Sequence, residues 1–298
     1  MHVFVTGASG WIGSAVVAEL LDSGHSVTGL ARSAHSAAAL TERGALVQRG
    51  DLDDLDSIRT AAASADAVVH LANKHDWSDP VATNRAEREA VTAIADTLAG
   101  SDRPFVLAAA LSGLVHGRPA TEDDPSPAVG PDSPRGGSEN LAFAYAEKGV
   151  RVMSARFAPS VHGIGDTGFV AQLTSVARER GVSAYIGDGD TAWAAVHRGD
   201  AARLIRLGLE GGSAGSRLHV VAETAVPVRD IAAAIGVALD VPVVSLAPED
   251  AASHFGFVGR FFGMDMSATA VRTRESLDWT PTGPTLLADI AAGAYTRS

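Results

Sequence analysis

The chain has 298 residues, 46% of them hydrophobic, which is enough for a substantial core and excludes a disordered protein. Its 35 acidic against 24 basic residues give a net charge of −11, and no basic stripe appears, which argues against a nucleic-acid partner. The lack of cysteine excludes disulfides, thiolate nucleophiles and cysteine-bound metals, and no other metal site is read.

The first element is a short apolar run, His2 to Val5, followed by Thr6-Gly7-Ala8-Ser9-Gly10-Trp11-Ile12-Gly13. A helical pattern then places Ile12, Val16, Val17, Leu20 and Leu21 on one face. A strand, a turn with glycine at every third position and an amphipathic helix make a seat for a pyrophosphate. Gly7 allows the tight turn, Gly10 lets backbone N–H groups approach, and Gly13 lets the helix pack close to the sheet. Dinucleotide binding is therefore expected. His25 to Ala31 reads as the second strand. An acid usually ends this strand in sites that bind NAD; here Arg32 and Ser33 stand instead, a pairing suited to the 2′-phosphate of NADP. Ala45 to Gln48 is the third strand, and Asp51 and Leu52 follow at the adenine end, with the neighbouring acids opening a helix. Ala67 to Asn73 is a buried strand whose end, Leu71, Ala72 and Asn73, is expected beside the cofactor. Strands at Pro104–Ala110 and 150–156 continue the alternation, which implies a parallel, doubly wound α/β sheet of Rossmann type. No apolar run nears the ~20 residues that span a bilayer, and no charged-then-apolar leader is read. A soluble, cytoplasmic protein with no membrane partner is the expectation.

Thr6 to Gly13, Gly50-Asp51-Leu52, His70-Leu71-Ala72, Ser112, Arg156 to Pro159, and Val196-His197 with Asp200 together resemble the extended or atypical short-chain dehydrogenase/reductases. The resemblance is most specific in the first 165 residues and weakest after about residue 223. It implies an NADP-binding Rossmann domain over residues 1–163, with 192–222 returning to it. Residues 164–191 and 223–298 then form a smaller substrate-binding part. It also implies that Pro159, Ser160 and Val161 pack on the carboxamide side of the nicotinamide.

Relatives of this kind use a serine, a tyrosine and a lysine four residues beyond the tyrosine. Ser112 matches the serine, and Asn84 falls where many members carry a supporting asparagine. The other two do not carry across: by register Arg135 stands in the tyrosine position and Glu139 in the lysine position. Arg135 cannot act as the acid, because a guanidinium keeps its proton. It either stabilises an oxyanion or pairs with Glu139 one helical turn away, and Glu139 alternatively bonds the nicotinamide ribose. Tyr145 and Lys148 are only three apart and read as packing and helix-end residues. The substitute acid is sought in Lys74-His75-Asp76-Trp77, with His75 placed first, Asp76 next, and Lys74 and Trp77 as substrate contacts. His116, His162, Tyr185 and His197 are further candidates for the substrate pocket.

The segment from His254 to Met264 holds four of the nine phenylalanines and reads either as a lid or apolar pocket wall, or as an appendage packing on its own core. The first function expected is an NADP-dependent oxidoreductase that reduces a carbonyl or related double bond of a small, fairly apolar molecule. The alternatives are an inactive NADP-binding sensor and an epimerase or isomerase with tightly held cofactor. A monomer or homodimer fits either case.

Overall fold

A computed structural model of the chain describes residues 1–296; Arg297 and Ser298, the end of the second expected part, lie outside the described residues. Strand β1 (His2–Thr6) leads through the glycine loop into helix α1 (Trp11–Asp22). The alternation continues as β2 (Ser26–Ala31), α2 (Ala34–Glu42), β3 (Leu46–Arg49), α3 (Leu55–Ser64), β4 (Ala67–His70), α4 (Pro80–Leu98) and β5 (Pro104–Ala110). After a long loop come α5 (Ser138–Phe143), β6 (Arg151–Phe157), β7 (Ser160–His162), α6 (Phe169–Arg180), β8 (Ser183–Ile186), β9 (Ala192–His197), α7 (Arg198–Gly211) and β10 (Ser216–Val220). The remainder is β11 (Glu223–Pro227), α8 (Val228–Leu239), β12 (Val243–Leu246), α9 (Ala251–Phe255), α10 (Gly259–Phe262), α11 (Val271–Leu277) and α12 (Leu286–Ala291).

The seven-stranded sheet runs β10-β6-β5-β4-β1-β2-β3, and its paired strands are all parallel. Its strands alternate by residue between two cores. Val3, Val5 and Val69 face α1 and α7, where Val16, Val17, Leu20, Leu204 and Ile205 are buried. Phe4, Val68, Phe105 and Leu107 face α3 and α4, with Ile58, Ala90, Val91 and Ile94. The winding reverses between β1 and β4, so the crevice at their C-terminal ends is where such a sheet receives a ligand.

A second sheet, β11-β9-β7, joins strands from both of the expected parts: β7 and β9 from 1–163 and 192–222, and β11 from 223–298. A third core lies behind it, with Trp193, Phe262, Leu286 and Ile290 almost wholly buried. β12 pairs in parallel with β8 to form a separate two-stranded sheet. Among the described residues no helix is long and apolar enough to cross a membrane.

The glycine loop requires two of its glycines for separate reasons. Gly7 has φ +65°, and a Cβ there would sit 2.7 Å from the Ala72 nitrogen at the end of β4. Gly13 has ordinary helical geometry, yet a Cβ there would meet the Gly7 carbonyl oxygen at 2.0 Å. A Gly13→Ala variant is expected to lose roughly 1–3 kcal/mol or more through this backbone collision. The Gly211→Ala control meets nothing within 4 Å and should hold or gain stability. Urea melts of the two variants check the contrast.

Candidate active site

At the head of the crevice the loop is closed by the Gly10 N–H donating to the Gly7 carbonyl at 2.9 Å, and Gly10 is the N-cap of α1. The Gly10 amide is thus spent within the turn, and the donors left to an anion are the first-turn amides that follow it. Trp11 donates its indole N–H to the Val161 carbonyl at 2.7 Å, and the Arg198 guanidinium lies 4.1 Å over its ring. Ile12 and Ser9 sit in the same turn. Thr6 is buried; its hydroxyl accepts from the Ala72 N–H and lies 2.9 Å from Nδ1 of His70. Leu71 completes this edge, donating its N–H to the Thr6 carbonyl.

At the outer end, Arg32 is exposed and Ser33 is the N-cap of α2, in a reciprocal capping box with Ser36. The Ser33 hydroxyl is therefore engaged with its own helix. A second guanidinium, Arg49, reaches the same turn and donates to the Ser33 carbonyl at 2.6 Å. Among the described residues neither Arg32 nor Arg49 has a carboxylate partner. Asp51 folds back on its own turn and accepts from the amides of Asp53 and Asp54, and Leu52 is buried. Lys74 pairs with Asp53 at 2.7 Å, tying together the loops after β3 and β4.

Beyond β4 the residues converge on one buried carboxylate. Glu87, in mid-α4 with no exposure, accepts from Nδ2 of Asn73 at 2.6 Å and from Nε of Arg135 at 3.0 Å, with Nη2 of Arg135 on the same oxygen. Asn73 in turn accepts the His75 backbone N–H at 2.8 Å. Arg135 begins a left-handed turn, φ 55°, 61° and 62° over Arg135, Gly136 and Gly137. Side chains of α4 hold that turn: Asn84 accepts the Arg135 amide and Arg88 donates to the Gly136 carbonyl. His75 is also left-handed, φ 51°. Two non-glycine residues in this sparsely allowed region, linked through Asn73 and Glu87, mark a place where the fold holds backbone strain.

The expected pairing of Arg135 with Glu139 does not form. Arg135 turns to Glu87, and Glu139 pairs instead with the fully buried Arg156 at 2.8 Å. The register is one reason: Arg135 precedes α5 in the left-handed turn, so the two side chains are not on one helix face. Tyr145 lies past the end of α5 and donates to Asp96 at 2.6 Å. Burial and that partner push its hydroxyl up to about 12.

His75 is exposed at the cleft, and desolvation, followed by the Arg135 charge, holds its pKa below the ordinary histidine range. Asp76 is held low by hydrogen bonds from Ser78, so it is a fixed carboxylate at neutral pH and an unsuitable proton donor. Ser112 leaves β5 in an exposed turn, and His116 is exposed farther along the same loop. Trp77 is exposed and packs on Phe257.

The remaining expected pocket residues lie on β7, β8 and β9. His162 is fully buried, its Nδ1 2.6 Å from Asp289, so it belongs to the interior between β7 and α12 rather than to a pocket wall. His197 caps α7 by accepting the Gly199 N–H. Tyr185 packs beside Gly189 on β8. Pro159 leads into β7, where Ser160 is buried and the Val161 carbonyl is taken by Trp11. Glu87 and Arg49 were not singled out from the sequence, and His70 only as part of the resemblance. Glu87 carries a legible signal, since it falls on the apolar stripe of Ala90, Val91 and Ile94 where a carboxylate needs a partner.

A surface cleft of about 530 Å³ lies elsewhere, between α3, α4 and Pro131–Asp132. Its Arg59 and Arg85 are already paired with Asp56 and Glu89. The strand ends, with their converging polar groups, are the better site.

A model of the NAD dependent epimerase/dehydratase family matches residues 3–221. An uncharacterized protein of Schizosaccharomyces pombe is 42% identical over 296 residues, covering 99% of this chain and 100% of its own length. One of Saccharomyces cerevisiae is 43% identical over 296 residues, covering 98% of each. Among solved structures, a UDP-glucose 4-epimerase of Thermus thermophilus in complex with NAD superposes with a TM-score of 0.76 at 21% identity, over 99% of this chain and 98% of that one.

Two predictions follow the buried charges. Burial holds His70 at about 4, with Glu87 opposing the shift and Arg135 adding to it. The folded value lies below the unfolded one, so the stabilisation is complete above pH 6.5 and is lost as pH falls towards 4, at up to about 1.4 kcal/mol per pH unit. Urea melts from pH 7 to 4.5 should show a shallower pH slope for His70→Asn. In Arg135→Met, Glu87 is left buried without its cation, and the variant should be less stable by about 3 kcal/mol or more in urea melts at pH 7. A loss no larger than the roughly 0.5 kcal/mol of an ordinary surface substitution would mean that the pair carries no such weight.

Proposed function

The chain belongs to the NAD dependent epimerase/dehydratase family, and from that premise we propose that it is an NADP-dependent oxidoreductase reducing a carbonyl or related double bond of a small, fairly apolar molecule. The observation that carries this reading is the convergence of Arg135 and His75 through Asn73 and Glu87 at the end of β4, next to the strand that delivers Ser112.

The residues fit a dinucleotide. The cradle at Gly7 is one that a Cβ would fill, the first-turn amides of α1 follow it, and Arg32 and Arg49 flank the outer end, neither with a carboxylate partner among the described residues. In this reading Thr6 to Gly13 hold the pyrophosphate and Arg32, Ser33 and Arg49 the 2′-phosphate. Asp51 and Leu52 border the adenine, Leu71 and Ala72 line the crevice, and Pro159 to Val161 back the carboxamide. The bound cofactor supplies the hydride.

The protein supplies everything else. Ser112 donates a hydrogen bond to the substrate oxygen. Arg135 stabilises negative charge as it develops there, using the guanidinium nitrogen that Glu87 leaves free. His75 gives the proton. Its lowered pKa leaves the ring neutral at pH 7, ready to accept a proton from an alcohol, whereas carbonyl reduction needs the imidazolium.

Titration with NADPH and NADH should show preference for NADPH, reduced about tenfold or more in Arg32→Ala and further in the double variant with Arg49→Ala. With a carbonyl panel, the reduction rate should rise as pH falls below 6.5. His75→Ala should flatten that rise. No turnover of any carbonyl at full NADPH occupancy would overturn the reductase assignment.

A further inference from the structure

The cleft of about 530 Å³ on the outer face of α4 lies away from the strand ends and has a lining of its own. Its apolar part is aliphatic: Leu55 from α3, Val81 and Ala93 from α4, and Pro131 from the loop before α5. Its polar part has cations in excess, with Arg59, Arg85 and Arg88 set against Glu89 and Asp132, in a chain whose net charge is −11. Two of the guanidiniums hold exposed pairs, Arg59 with Asp56 and Arg85 with Glu89, which water and salt weaken. Arg88 differs. It is half-buried and has no carboxylate partner among the described residues. Of the five N–H groups of its fork, the Gly136 carbonyl takes one, from Nη1 at 2.6 Å.

That carbonyl belongs to the left-handed turn that begins at Arg135, and the turn is pressed against α4. A Cβ at Gly136 would lie 2.5 Å from the Asn84 carbonyl oxygen and 2.9 Å from Cβ of Arg88. One side chain thus stands between the cleft and the backbone that delivers Arg135 to Glu87.

We propose that this cleft is a second binding site, for a small aliphatic carboxylate, and that its occupancy firms the Arg135 turn through Arg88. The carboxylate takes the guanidinium edge that the Gly136 carbonyl leaves, a planar match between fork and anion. The hydrocarbon chain lies on Leu55, Val81, Ala93 and Pro131, and no aromatic side chain lines the cleft to favour a ring. Glu89 and Asp132 in the same wall oppose a second negative charge, so a carboxylate fits better than a phosphate. A guanidinium fixed from the cleft side keeps its hold on the Gly136 carbonyl, so ligand and turn support one another.

The test is calorimetric titration of the full chain with octanoate, acetate and 1-octanol, with amide hydrogen exchange over residues 135–138 and sedimentation velocity beside it. Octanoate should bind at least tenfold more tightly than either of the others, because each of them lacks one half of the match. Val81→Glu sets a like charge at a position that is 73% exposed, and it should weaken octanoate about tenfold without disturbing the core. Arg88→Met should do the same, with circular dichroism confirming its fold. Amides of the Arg135 turn should exchange several-fold more slowly at saturating octanoate. The proposal is overturned if acetate or octanol binds as well as octanoate, or if Val81→Glu keeps full affinity. Exchange in the turn that octanoate leaves unchanged also overturns it, as does a dimer that closes the cleft and binds no octanoate. None of these readouts involves turnover, so failure of the oxidoreductase reading leaves the site standing.

Discussion

A carboxylate with no access to water has to be paired or protonated, and Glu87 meets that demand by gathering what lies around it. Its two oxygens fix Arg135 on one side and Asn73 on the other, and Asn73 fixes the backbone at His75. Two loops, one after β4 and one before α5, are thereby joined at residues held in left-handed conformations. The arrangement sets at the end of β4 a guanidinium whose charge is balanced from behind. A cation compensated in this way offers directed N–H donors to an oxygen without being a strong attractor of anions.

The rest of the fold serves to bring this cluster to the crevice between β1 and β4. Parallel winding puts every loop that matters at one edge, and the close approach of Gly7 to Ala72 brings the cofactor seat and the end of β4 into contact. The β11-β9-β7 sheet backs the third core, and a chain of ring contacts runs from its Trp193 through Phe169 and Phe261 to Phe257.

The doubly wound sheet was legible because period and punctuation agree. Apolar runs end in glycine-marked turns, and helices such as α1 show their stripe at i, i+4 and i+8. The glycine turn between β1 and α1 was legible for the same reason. The catalytic end was less so. Register alone put Arg135 at the tyrosine position but offered the neighbouring Glu139 as its partner, whereas the true partner is 48 residues earlier on another helix. Pairings across elements leave no periodic trace. The histidines show the same limit: His162 and His197 look like pocket residues by their neighbours, yet one is buried against Asp289 and the other caps a helix.

Trp11 gives the glycine loop a history as well as a shape. Its indole is bound to a carbonyl 150 residues away, and Arg198, which covers its ring, also holds Ser14 across a separation of 184. The loop therefore looks like the most local motif in the chain, yet its final form depends on contacts of very high sequence separation, which are the slow ones to close. During synthesis the N-terminal βα unit emerges first but must wait for β7 and α7 before the start of its helix is latched. The loop proposed to hold a nucleotide is accordingly among the last parts of this chain to reach its final form as it folds.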